Sequence, residues 1–67
     1  MITEIGIVAG EIWHFLDDHG KVSLTQLIEG LKQPRELVLM SLGWLAREGH
    51  VLVWFEEGDY LTNLRKQ

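Results

Sequence analysis

The chain contains no cysteine. That excludes disulfides, thiolate nucleophiles and cysteine-ligated metal, and it fits a cytoplasmic location. Proline is nearly absent: Pro34 is the single one in 67 residues, and no linker, repeat or low-complexity segment interrupts the chain. Cations are few. Six Lys and Arg face ten Asp and Glu, a net charge of −4. Phosphate-binding surfaces rest on surplus Lys and Arg, so this balance speaks against nucleic acid, although placement counts for more than the total. No apolar run reaches the roughly 20 residues that span a bilayer, so no membrane partner is expected. The opening residues MITEIGIVAGEIW lack a basic stretch and carry Glu4 and Glu11; they are expected not to act as a signal peptide.

What is present is the material of a core. Hydrophobic residues make up 46% of the chain and three are Trp, a composition that folds. The length predicts one domain over residues 1–67. A chain this short buries a modest share of its surface and is marginally stable alone.

The central stretch, Gln33 to Gly49 (QPRELVLMSLGWLAREG), reads as a helix with both ends marked. Pro34 suits the first helical position and Gly49 the left-handed residue past the last turn. Val38, Leu42 and Leu45 recur at helical spacing and define a buried stripe. Upstream, a first helix is predicted from Glu4 to about Asp18, with Thr3 as N-cap and Gly20 as terminator. Its apolar arc is Ile5, Val8, Ala9, Ile12, Phe15 and Leu16; Ile7 falls on the polar side. Gly6 and Gly10, four apart, leave two readings of their flank. Either a neighbouring element of the same domain lies close against it, which is preferred, or a second copy of the helix does.

Lys21-Val22-Ser23 reads as a short extended piece. Ser23 and Gln26 form a capping-box pattern opening a second helix, Leu24 to Leu31. Lys32 and Gln33 connect it tightly to the central helix, the signature of a helix-turn-helix. After Gly49 the period changes. His50 to Phe55 reads as a strand, Glu56-Glu57-Gly58-Asp59 as a turn, Tyr60 to about Leu64 as the return strand, and Arg65-Lys66-Gln67 as a frayed basic tail. Helix, short strand, helix, helix, hairpin is the order of an α+β winged helix, with Lys21–Ser23 as a third strand beside the hairpin.

The residues carry a resemblance. GEIWHFLDDHGKVSLTQLIEGLKQPRELVLMSLGWLAREGHV, Gly10 to Val51, resembles a family of small, stand-alone winged helix-turn-helix proteins of bacteria and archaea. Its most specific piece is LGWLAREG, Leu42 to Gly49, supported by GEIW, Gly10 to Trp13. The resemblance implies the fold and leaves the function open. More broadly the chain is similar to winged-helix modules of transcription regulators, a superfamily that also includes winged helices binding only proteins.

A DNA-binding role is the first functional expectation. The central helix would enter the major groove by its N-terminal residues. Lys32 and Arg35 are placed to touch phosphate, Gln33 to read adenine, and Glu36 to accept from cytosine. Leu39, Met40 and Gly43 offer no donors. The acidic turn stands where a DNA-contacting wing carries cations, and the six cations are scattered. For each cation a solvated surface charge is the plainer reading.

The second expectation is a protein-interaction or homodimerisation module. Leu37, Met40 and Trp44 cluster on one flank of the central helix, and Leu52 and Trp54 face away from Val51, Val53 and Phe55 on the strand. Leu37, Met40, Trp44, Leu52 and Trp54 thus form the candidate protein interface, unless Trp44 and Leu52 fill gaps inside the domain. A second copy of the chain is the simplest partner. No catalytic constellation, cofactor motif or small-molecule site is expected. His14 and Asp18 could share a metal, with Asp17, His19 and the distant His50 nearby in kind, but a structural zinc site needs about four converging ligands, and a solvated helix end is preferred.

Overall fold

The computed structural model describes residues 1–65, with Lys66 and Gln67 outside it. Six elements follow in the expected order: α1 (Ile2–His19), β1 (Val22–Ser23), α2 (Leu24–Leu31), α3 (Arg35–Arg47), β2 (Val51–Glu56) and β3 (Asp59–Leu64). The sheet is antiparallel in the order β1-β3-β2.

Helix α1 begins earlier than the capping pattern predicts. Met1 stands at the cap position, no side chain caps the helix, and Thr3 lies inside it. The Met1 carbonyl accepts from Ile5 N–H at 3.0 Å. The Met1 ammonium holds the Glu4 carboxylate at 2.7 Å and keeps the Glu4 carboxyl below its ordinary value, a charge at the favourable end of the helix dipole. Of the predicted arc, Val8, Ala9, Ile12 and Leu16 are buried, while Ile5 and Phe15 are partly covered. Gly20, at φ 74°, ends the helix.

The turn into α2 matches its sequence signature. Gln26 N–H donates to Ser23 Oγ at 3.1 Å and Ser23 N–H to Gln26 Oε1 at 2.8 Å, both halves of the capping box. Helix α2 ends on Lys32 in the left-handed region, φ 57° and ψ 36°.

Helix α3 is shorter than Gln33–Gly49. Pro34 has extended ψ, 134°, so it caps the helix rather than opening it; its carbonyl accepts from Val38 N–H at 3.1 Å. At the far end, His50 N–H reaches the Leu45 carbonyl at 2.9 Å and Gly49 N–H the Ala46 carbonyl at 3.1 Å. With Gly49 at φ 82° this is a Schellman stop, which turns the chain sharply into β2.

The β2–β3 hairpin turns through two residues, Glu57 and Gly58, with φ 54° and 81°. Both lie in the left-handed region, as a type I′ turn requires. The ladder extends past β3: Arg65 N–H donates to the His50 carbonyl at 3.0 Å. Arg65 is therefore tied rather than frayed, and the rest of the expected tail falls outside the described residues.

The core lies where α1 crosses α3 over the sheet. Ile12, Leu27 and Val38 are fully buried, with Leu42, Leu45, Val51 and Leu64 around them. Thr62 is buried and donates to the Val22 carbonyl at 3.0 Å, which clips β1 to β3 and satisfies its hydroxyl. Among the described residues no helix is long and apolar enough to cross a membrane.

Candidate nucleic-acid and protein interface

The turn between α2 and α3 presents the residues expected to meet nucleic acid. Lys32, Arg35 and Glu36 are exposed around the start of α3. Gln33 is engaged by the neighbouring helix. It is partly buried, and its Nε2 donates to Glu11 Oε1 on α1 at 3.0 Å. Arg35 lines a shallow cleft with Leu24, Thr25, Ile28 and Glu29, so a carboxylate shares its surroundings.

Further along, the outward side of α3 carries Glu36, Leu39, Met40, Gly43 and Arg47, all exposed. Leu39, Met40 and Gly43 have no side-chain donor, and base edges are read by donors and acceptors. The wing tip is Glu56, Glu57 and Asp59, all exposed, a negative end that phosphate repels. Beside it Phe55, 61% exposed, meets Tyr60 edge-on with ring centroids 4.9 Å apart.

Of the five residues expected at a protein surface, Met40, Trp44 and Leu52 are exposed, while Leu37 and Trp54 are partly covered. Leu37 turns inward and packs against the core, because its position on α3 lies beside the buried Val38–Ser41–Leu45 side. Met40 and Trp44 are exposed, Trp44 by 49%. Leu52 is exposed, whereas Trp54 is partly covered and its indole N–H donates to Glu56 Oε1 at 2.9 Å. Trp44 instead joins helix α1. One cleft of about 370 Å³ is lined by Ile2, Ile5, Gly6 and Trp44. A second, of about 320 Å³, runs past Gly10 and Trp13 to His50.

These clefts overturn the preferred reading of Gly6 and Gly10. A Cβ added at either glycine would meet nothing within 4 Å, so among the described residues nothing packs directly on them, and α3 faces this flank only across a cleft. The close approach occurs elsewhere, at a glycine that helical periodicity did not single out. A Cβ on Gly30 would stand 2.5 Å from the Phe15 ring.

Among the described residues no three His, Asp or Glu side chains gather around a metal-sized site. His14 is exposed and lies edge-on to Trp13. His19 Nδ1 bonds the Phe15 carbonyl at 2.8 Å, and its ring stacks on Phe15 at 4.0 Å.

The feature that residue-by-residue reading missed is the outer edge of β2. Val53, Phe55 and Tyr60 are exposed although they share the face of buried Val51 and Thr62. The hairpin projects past the core packed on Val51 and Leu64, which leaves this face bare towards the wing tip, and β2 has β3 on one side only, which leaves its edge unpaired. The signal in the sequence was the apolar run on both faces of the strand.

A family model described as a winged helix-turn-helix domain (DUF2582) matches residues 1–65. An uncharacterized protein of Methanocaldococcus jannaschii, MJ1608, is 34% identical, over 97% of this chain and 96% of that one. The solution structure of protein BT2368 from Bacteroides thetaiotaomicron superposes with a TM-score of 0.81 at 27% identity, covering 92% of this chain and 76% of that one. The Zalpha domain of PKZ from Carassius auratus, solved in complex with Z-DNA, superposes with a TM-score of 0.79. At 20% identity, over 91% of this chain and 97% of that one, this neighbour shows the fold alone.

Proposed function

We propose a protein-binding role for this chain, which belongs to the winged helix-turn-helix family DUF2582. In this reading residues 1–67 act as one non-catalytic cytoplasmic module whose surfaces take protein rather than duplex DNA. The outward side of α3 carries it. Where a reader of DNA presents donors, this helix presents Leu39, Met40 and the bare backbone of Gly43, with Trp44 half exposed beside them. Exposed apolar surface of this kind, rich in Trp and Met, marks protein contacts. The acidic wing tip supports the same reading, because it repels phosphate and tolerates a basic or neutral partner.

One observation favours a second reading. Lys32 and Arg35 are both exposed at the entrance to α3, where winged helices contact the DNA backbone. In that reading they hold phosphate and Glu36 faces the groove.

An NMR titration of labelled protein with a mixed-sequence duplex at low salt separates the two. The protein-binding reading expects no shifts concentrated on Lys32, Gln33, Arg35 and Glu36. Shifts centred there that weaken steeply with added salt would overturn it in favour of DNA.

A further inference from the structure

The two outer strands of the sheet are unequal. β1 has two residues, too few to template another chain. β2 has six, VLVWFE, with no Lys, Pro or Gly to blunt the edge, and a long apolar edge without such guards pairs readily with a further strand.

The hairpin fixes which backbone groups are on offer. In a two-residue type I′ hairpin the closing pair, Glu56 and Asp59, is the hydrogen-bonded one, and bonding alternates from there. Trp54 and Leu52 then bond β3. The bond between Arg65 N–H and the His50 carbonyl keeps the same parity. Val51, Val53 and Phe55 therefore direct N–H and C=O away from β3; Val53 and Phe55 present theirs at the surface, 40% and 61% exposed, whereas Val51 is 3% exposed and its outward groups become available only when the cover over the start of β2 parts. The side chains beside these groups are apolar on both faces. Leu52 is 49% exposed on one and Val53 40% exposed on the other.

We propose that a second copy of this chain docks here, β2 against β2, antiparallel, about a two-fold axis at Val53. The outward groups set the register. Val53 faces Val53 of the second copy and Val51 faces Phe55, each pair exchanging two backbone bonds. Leu52 then lies opposite Trp54, and two three-stranded sheets become one of six strands.

Charge complementarity identifies a second copy as the occupant. In this register His50 stands opposite Glu56 of the second copy, and Gly49 opposite Glu57. The Arg65 guanidinium lies against Gly49, with Nη1 3.3 Å from where a Cβ would be. Among the described residues no carboxylate is within ion-pair distance of Arg65. The wing tip, three acids crowded at one end of the hairpin, thus meets a cation and a histidine twice over. Apolar centre and charged rim are the anatomy of a protein interface.

The pairing leaves α3 untouched, so it does not depend on the reading of that helix. Sedimentation equilibrium of the full chain, from micromolar to millimolar, should show the mass rising from one chain to two. Amide exchange on the dimer should protect the exposed Val53 and Phe55 N–H together with those of Leu52 and Trp54. Val53→Pro removes an outward donor from each copy without touching the β3 ladder, and should weaken association about tenfold or more. Glu57→Lys should weaken it too, and Glu57→Lys with Arg65→Glu should restore it, which damage to the fold cannot mimic. A single-chain mass at millimolar concentration overturns the proposal. So does a dimer in which the Val53 and Phe55 amides exchange freely.

Discussion

The Gln33 amide is bonded to the Glu11 carboxylate at 3.0 Å, which fastens the turn before α3 to the middle of α1. A residue that sequence pattern offers as an adenine reader is thereby a brace between helices. Gln33→Ala should lower stability by about 0.5–1.5 kcal/mol, the net worth of one such bond. For a domain of this size that is a fall of several degrees in Tm, at roughly 4–8 °C per kcal/mol. Thermal unfolding followed by circular dichroism checks it. An unchanged Tm with a changed response to duplex DNA would show that Gln33 reads bases after all.

Ser41 is completely buried in α3, and among the described residues its hydroxyl has no hydrogen-bond partner. Burial without a partner costs about 1–3 kcal/mol, and Ala is also the better helix former. Ser41→Ala should therefore stabilise the protein by roughly 1 kcal/mol, visible as a higher urea midpoint with an unchanged slope. A lower midpoint would mean that the hydroxyl has a partner, such as a buried water.

Lys32 ends α2 in the left-handed region, at φ 57°. That conformation costs an ordinary side chain on the order of 1 kcal/mol, and Asn adopts it more readily. Lys32→Asn should raise stability by about 0.5 kcal/mol, and Lys32→Ala should not. Denaturant unfolding of the two variants side by side decides it.

The fold was legible because each local signal agreed with its neighbours. The Ser23–Gln26 box, Gly49 and the Val38–Leu42–Leu45 stripe all lie on consecutive elements, and each has a single short-range physical meaning. The surface was harder to read. Whether Leu37 points in or out depends on how α3 is rotated against the core, and helical spacing does not fix that rotation. Gly6 and Gly10 suggested close packing by spacing alone, yet what lies opposite them is set by the crossing of α1 and α3. The free edge of β2 follows from strand order, a property of the whole sheet that no window of residues contains. The bond that Gln33 makes is hidden from a local reading for a related reason: Glu11, its partner, is 22 residues away.

Gly30 shows the same long-range dependence in a form that mutation can measure. A Cβ there would lie 2.5 and 2.6 Å from two atoms of the Phe15 ring. Phe15 cannot swing aside freely, since His19 stacks on it at 4.0 Å and its body packs against the core. In an exposed helix Gly→Ala stabilises by up to about 1 kcal/mol through helix propensity. At Gly30 that gain is set against overpacking, which typically costs 1–3 kcal/mol. Gly30→Ala should therefore be net destabilising by about 1 kcal/mol. Gly43→Ala, where a Cβ meets nothing within 4 Å, should stabilise. The opposite signs are the test, read from denaturation midpoints. If both substitutions stabilise, α1 and α2 can part to admit a methyl group. If Gly30→Ala is destabilising and Phe15→Leu in the same chain recovers the loss, the ring is the group that holds the two helices at this distance.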